Sequence, residues 1–121
     1  MMKVTKEKGL RFLQEMDKPI TSKKEIFDIL FETCGISDAV NTKHIFFQEV
    51  IIKFNASKAR TVIENYLPYL TISHFVDVAI YTYIKAGFNF KDFDKDLTEY
   101  KKDYNFIYAD IKEYKTIFTN A

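Results

Sequence analysis

Apolar residues recur at spacings of three and four, without a break, through the last third of the chain. The series is Phe90, Phe93, Leu97, Tyr100, Tyr104, Ile107, Ile111, Tyr114 and Phe118. A 3.5-residue repeat held over about four heptads keeps one seam on one side of a helix. The pattern therefore predicts a long helix over residues 90–118 that packs along its length, either against a second copy of the chain or against the chain's own helices.

Charged residues of opposite sign flank this seam. With Phe90 at heptad position a, Asp96 and Asp110 fall at g, and Lys101 and Lys115 fall at e. In a parallel homodimer each of these aspartates would meet a lysine of the second copy, whereas an antiparallel pair would oppose aspartate to aspartate. A parallel homodimer is therefore the expected form if the seam pairs with itself.

The composition favours a mostly α fold. The chain is 47% hydrophobic and 29% charged, a composition that excludes an intrinsically disordered protein. Its 121 residues are the size of one domain, so we expect a single domain over residues 1–121. Only three Gly and two Pro are present, too few for the tight turns of a many-stranded β fold. We expect a small domain of five to six helices: a helical N-terminal part over residues 1–44, a central part over residues 48–87 and the heptad helix.

Capping residues and helix breakers place most of the helices. Thr5 can cap a first helix that ends before Pro19, and Thr21 or Ser22 can cap a second helix that ends at Gly35. A further helix follows Asn55 and ends at Pro68. Residues 75–84 are apolar on almost every side, which is typical of a buried central helix.

The segment from Ile45 to Asn55 is compatible with two structures. As a helix it places Phe47, Val50, Ile51 and Phe54 on one face, at spacings suited to a core. As a strand over residues 49–54, it would place Val50, Ile52 and Phe54 on one face and Glu49, Ile51 and Lys53 on the other, and it would pair in a dimer. Periodicity leaves both alternatives open.

Residues 48–87 resemble the ribbon-helix-helix family of dimeric DNA-binding repressors. The resemblance is closest in the run that begins at Ser73 and reads Ser-His-Phe-Val-Asp-Val-Ala-Ile-Tyr-Thr-Tyr-Ile. In that family the strands of two subunits form a ribbon in the major groove, and the start of the second helix holds a phosphate. The resemblance implies that Glu49, Ile51 and Lys53 face the groove. It also implies a phosphate clamp formed by Thr71, Ile72 and Ser73.

The front of the chain offers a second interpretation as a DNA-binding protein. Residues 20–44 look like a helix-turn-helix, in which residues 41–44 would face the bases. The first 24 residues carry an excess of basic side chains, among them Lys23 and Lys24, which could contact phosphates. The alternative for these lysines is an ordinary solvated helix face.

The sequence contains no catalytic, cofactor-binding or metal-binding motif. The two histidines, His44 and His74, have no neighbours at metal-ligand spacing, and Cys34 has the surroundings of a buried structural thiol. Because no catalytic motif is present, we expect that the protein is not an enzyme. No secretion signal and no membrane-length apolar run is present either, so we expect a cytoplasmic protein.

These features lead to two functional hypotheses. The first is a small dimeric regulator, of the kind that plasmids and phages encode, that binds DNA and acts by occlusion. The second is an all-α interaction module, an inhibitor or adaptor, that binds a protein partner through an aromatic surface and does not bind DNA.

Overall fold

The computed structural model describes residues 4–35, 48–65 and 72–102, and these residues form helices joined by short connections. The elements are α1 (Lys6–Met16), α2 (Lys23–Cys34), α3 (Glu49–Asn65), α4 (Ile72–Lys85), a 3-10 turn (Phe90–Asp92) and α5 (93–102). No strand is among the elements of these three ranges. The expected mostly α fold of five to six helices is confirmed.

Local side-chain chemistry sets the ends of the first two helices. The Thr5 hydroxyl accepts a hydrogen bond from the Lys8 amide at 3.2 Å, and the Ser22 hydroxyl accepts one from the Glu25 amide at 3.3 Å. Gly35 ends α2 with a φ of 84°, a left-handed value that favours glycine. These residues are among those that the sequence marked as caps and helix ends.

The α4 helix is the centre of the core. It packs against α1, α2 and α3. Its side chains with at most 1% exposure are Phe75, Val76, Val78, Ala79, Ile80 and Tyr83. An apolar surface that runs almost all the way around a helix has to be covered from several sides, so the expectation of a buried central helix is confirmed.

An aromatic cluster joins α2, α4 and α5. The Phe27 ring lies 5.6 Å from those of Phe93 and Tyr100, centroid to centroid, and the Tyr83 ring lies 5.2 Å from Phe93 at nearly a right angle. Offset and edge-to-face pairs of this kind stabilise a core beyond the area they bury. This cluster attaches the start of the heptad segment to the rest of the fold.

The strand alternative for residues 49–54 is wrong, because α3 is one continuous helix from Glu49 to Asn65. Ribbon-helix-helix proteins pair strands of two subunits, and a helix at this position provides no strand to pair. The ribbon-helix-helix resemblance is therefore overturned. The physical reason is a helical stripe at spacings of three and four that continues past Asn55. Its buried members are Ile52, Ala56, Ala59 and Ile63.

Candidate interaction surface

The side of α3 that points away from the core carries a continuous exposed stripe. Its members follow the helical spacings of three and four from the start of the helix, and all are exposed: Val50, Lys53, Phe54, Ser57, Lys58 and Thr61. Successive positions of such a series lie next to one another on a helix. We call these six residues the α3 surface.

Two large apolar side chains of the α3 surface are in contact with solvent. Val50 is 80% exposed and Phe54, one turn later, is 66% exposed, whereas Leu10, the other exposed large apolar residue of the described ranges, is 37% exposed. A single exposed apolar residue is ordinary, whereas two that adjoin on one face of a helix form an apolar patch, which makes this face a candidate interaction surface. The helical alternative for residues 45–55 had placed both side chains in the core, and that part of it is wrong.

The charged residues of the α3 surface are both cationic. Lys53 and Lys58 form no ion pair with any other residue of the described ranges. Exposed carboxylates adjoin the α3 surface only at its two ends, where Glu49 precedes Lys53 by four residues and Glu64 follows Thr61 by three. On the same helix but outside the stripe, Arg60 behaves differently, because its guanidinium lies 2.8 Å from the Asp17 carboxylate of the α1 C-terminal cap. The two lysines therefore remain available to an anionic group of another molecule.

A groove of about 210 Å³ between α3 and α4 adjoins this surface. Its floor is apolar, since it contains Ala56 and Val78, which are both buried. Lys53, Ser57, Arg60 and Tyr81 complete the lining. Because Lys53 and Ser57 belong to both features, the groove and the α3 surface form one continuous region.

The residues that the ribbon-helix-helix resemblance assigned to DNA do not form its groove-reading row. Glu49, Ile51 and Lys53 lie on α3 as a helix, where Ile51 points to the side opposite Glu49 and Lys53, so the three do not share a face. Only Lys53 belongs to the α3 surface. Of the expected phosphate clamp, Ile72 begins α4, Ser73 is exposed and Thr71 lies outside the described residues.

Lys23, a predicted phosphate contact, is bound to a carboxylate of its own chain. Its Nζ lies 2.7 Å from Asp96 Oδ2, and 5.0 Å from the centre of the Phe88 ring. The Tyr83 hydroxyl donates a hydrogen bond to the same Asp96 oxygen. Burial acts to raise the pKa of Asp96, but the hydrogen bonds from Lys23 and Tyr83 outweigh it and hold this pKa below its usual value.

Lys24 has a similar arrangement one position later. Its Nζ lies 2.6 Å from Asp28 Oδ2, and the Tyr100 hydroxyl donates to Asp28 Oδ1 at 2.5 Å. The pKa of Tyr100 is raised to about 12, mainly by burial and secondly by this hydrogen bond to Asp28. The pKa of Lys24 is also raised, mainly by its own hydrogen bond to Asp28. The first Lys–Asp–Tyr cluster thus connects α2 with α4 and α5, the second connects α2 with α5, and each gives its lysine a counter-ion in the same chain.

The first positions of the heptad seam pack onto the chain's own core. Phe93 is fully buried and Leu97 is 2% exposed, while Phe90 and Tyr100 are partly buried against the same core. Asp96, expected to meet Lys101 of a second copy, instead binds Lys23. The remaining predicted seam residues lie outside the described part of the chain, namely Tyr104, Ile107, Ile111, Tyr114 and Phe118.

Three further sequence interpretations concern residues at the margins of the described ranges. The second helix of the proposed helix-turn-helix, with His44, lies outside them. His74 is partly buried, and this burial lowers its pKa. Cys34 is fully buried.

The described helices contain no span that is both long and apolar enough to cross a membrane. Within the same ranges, no group of three or more His, Cys, Asp or Glu side chains is placed to hold a metal ion. Comparisons of the chain with protein-family models, with curated proteins and with solved structures found no significant match.

The sequence of residues 45–55 does not identify the α3 surface, because this segment is too short to show which apolar stripe continues along the helix. Over residues 45–55 alone, the stripe that contains Val50 and Phe54 is as good as any other. Over the whole helix, only the stripe through Ile52 continues in register, reaching Ile63. The signal that could have found the surface is therefore the periodicity of the complete helix.

Proposed function

We propose that this protein is a helical interaction module that binds a partner protein through the α3 surface. The observation that carries the proposal is the exposure of Val50 and Phe54, one turn apart on the side of α3 opposite the core. Aromatic side chains that insert into a partner supply much of the binding free energy at protein interfaces. Phe54 is the anchor of the proposed surface, and the proposed activity is binding without catalysis.

DNA binding by a dimeric regulator stays a prediction. Of its candidate phosphate contacts in α2, Lys23 binds Asp96 of α5, whereas Lys24 is 70% exposed and pairs with Asp28 of its own helix. Self-association through residues 104–118 of the seam also stays a prediction. The proposed place of action is the cytoplasm, supported by a single cysteine, which cannot form a disulfide within the chain.

Site-specific photocrosslinking in the cells that make the protein tests the proposal. A photoreactive phenylalanine analogue in place of Phe54 is expected to give a discrete adduct with another polypeptide, which mass spectrometry identifies. The matched control carries the analogue in place of Leu10, which is exposed on α1 and lies outside the α3 surface. Equal yields of the same adducts from both positions, or none at Phe54, would remove the α3 surface as a binding site.

A duplex DNA titration separates the two functional hypotheses. A phosphate-binding regulator weakens steeply as salt rises, by about one unit in the slope of log affinity against log salt for each phosphate contact. For the proposed interaction module we expect no salt-sensitive binding to mixed duplex DNA. Salt-sensitive binding that falls in the Lys23→Glu/Lys24→Glu variant would favour the regulator instead.

A further inference from the structure

We infer that the partner segment that binds the α3 surface is an amphipathic helix with acidic residues beside its apolar stripe. This inference rests on the proposed function and adds the shape and the charge of the occupant. It follows from three features of α3: its cations, its relief and its closed backbone.

The cations determine the charge of the occupant. Lys53 follows Val50 by three residues and Lys58 follows Phe54 by four, so each lysine adjoins one of the two apolar side chains. Neither lysine has an ion-pair partner among the described residues. A helix that covers Val50 and Phe54 brings its own flanking residues against these ammonium groups. Carboxylates at the flanking positions are therefore favoured, and lysines there are disfavoured by like-charge repulsion.

The shape of the α3 surface leaves room for large side chains of the partner helix. Beyond Phe54 the stripe continues with Ser57 and Thr61, which are small, and the Thr61 hydroxyl is turned back to donate to the Ser57 carbonyl at 3.1 Å. Beside Ser57 the groove of about 210 Å³ opens onto the buried Val78. The high part of the stripe, Val50 and Phe54, is thus followed by a low part that an apolar side chain of the occupant can fill.

The backbone of α3 determines the secondary structure of the occupant. Residues 49–65 are helical throughout, so between the two terminal turns their amides and carbonyls bond within the helix and present no edge to which a strand could add. Helices pack by fitting the ridges of side chains on one helix into the grooves of the other. On α3 such a groove is provided by the small residues that follow Phe54 and by the α3–α4 groove beside them. An amphipathic helix is therefore the segment that this surface accommodates.

Two synthetic helical peptides test the inference on the full-length protein by fluorescence anisotropy. Both carry the same leucine stripe, and they differ only in having glutamate or lysine at the positions that flank it. We expect the acidic peptide to bind about tenfold or more tightly than the basic one, a ratio equivalent to about 1.4 kcal/mol. In Lys53→Glu/Lys58→Glu the preference should invert, while Phe54→Ala should weaken the binding of both peptides.

The control variant, Lys91→Glu/Lys95→Glu, changes the net charge by the same amount at two exposed lysines outside α3. It should keep the preference of the unmodified protein, and circular dichroism should show equal helix content in every variant. Equal affinity for both peptides, lost in Phe54→Ala, would overturn the acidic charge and leave the α3 surface as a binding site. Binding of neither peptide, or binding that Phe54→Ala leaves unchanged, would overturn the acidic helix, and crosslinking at Phe54 would then decide the proposed function independently.

Discussion

The Nζ of Lys23 lies 2.7 Å from Oδ2 of Asp96, although the two residues are 73 positions apart in the sequence. This ion pair connects the first turn of α2 to α5, and the Tyr83 hydroxyl of α4 donates to the same carboxylate. Three helices that adjoin the aromatic cluster therefore share one charged group. The arrangement makes the stability of the fold depend on the protonation of Asp96.

The first prediction concerns acid. The folded-state pKa of Asp96 lies below its usual value, so its stabilisation is present above the unfolded-state pKa of about 4 and is lost as pH falls through the folded-state pKa. Asp96→Asn should lower the free energy of unfolding at pH 7 by about 1 kcal/mol, a modest value because Lys23 is 42% exposed. It should also reduce the loss of stability between neutral and acidic pH.

Urea unfolding at neutral and acidic pH measures both effects. Glu99→Gln, which removes an exposed carboxylate of α5, is the control and should resemble the unmodified protein. If Asp96→Asn kept the full acid sensitivity, Asp96 would not be a source of it.

The second prediction concerns alkali. The pKa of Tyr100 is raised to about 12, so folding favours the protonated phenol; its contribution is complete below pH of about 10, where an unfolded tyrosine ionises, and is lost as pH rises toward 12. Tyr100→Phe should therefore flatten the decline of unfolding free energy over this range. Denaturant unfolding at mildly and strongly alkaline pH provides the measurement. Tyr81→Phe, outside both Lys–Asp–Tyr clusters, should keep the unmodified slope, and the idea fails if the two variants behave alike.

The third prediction compares one substitution at a buried and an exposed position. Phe93 is fully buried in the aromatic cluster, so Phe93→Ala should lower the free energy of unfolding by about 3–5 kcal/mol through lost burial and a cavity. Phe54 is 66% exposed, so Phe54→Ala should change it by less than about 0.5 kcal/mol. Thermal or urea unfolding of both variants measures the difference. Similar losses at the two positions would contradict the orientation of α3.

The fourth prediction concerns the turn after α4. Gly87 has a φ of 100°, and a β-carbon built there meets no atom within 4 Å. Gly87→Ala should therefore cost about 1 kcal/mol through backbone strain alone, without a steric clash. Gly87→Asn should cost less, because asparagine tolerates left-handed backbone better than alanine does. Equal unfolding free energies for Gly87→Ala and the unmodified protein would show that this turn adopts another conformation.

Much of the secondary structure follows from interactions between residues three or four positions apart. Thr5 and Ser22 cap their helices through amides three residues later, and Gly35 ends α2 directly after it. The central helix α4 was also predictable, because a segment that is apolar on nearly every side has few alternatives to burial. For the caps and helix ends the cause lies within a few residues, whereas for α4 the sequence indicates burial but not which helices cover it.

The α3 surface was less predictable, because its residues are distinguished from other residues of α3 only by lying outside the core. Val50 and Ile52 are both β-branched and apolar, yet they lie about 200° apart on α3, and only Ile52 is in the core. Likewise, the i,i+4 spacing indicates the pair of Lys24 with Asp28, but no local rule indicates that Lys23 binds Asp96, 73 residues away.

The sequence by itself determined that this protein is mostly helical, where its first two helices begin and which helix is central, since caps, breakers and an all-round apolar helix act locally. Only the tertiary structure decided which stripe of α3 is buried, that Phe93 and Leu97 pack on their own chain, and that Lys23 has its carboxylate partner in α5. These outcomes depend on contacts between residues far apart in the chain. The free energy of such contacts exists only after the helices have packed together.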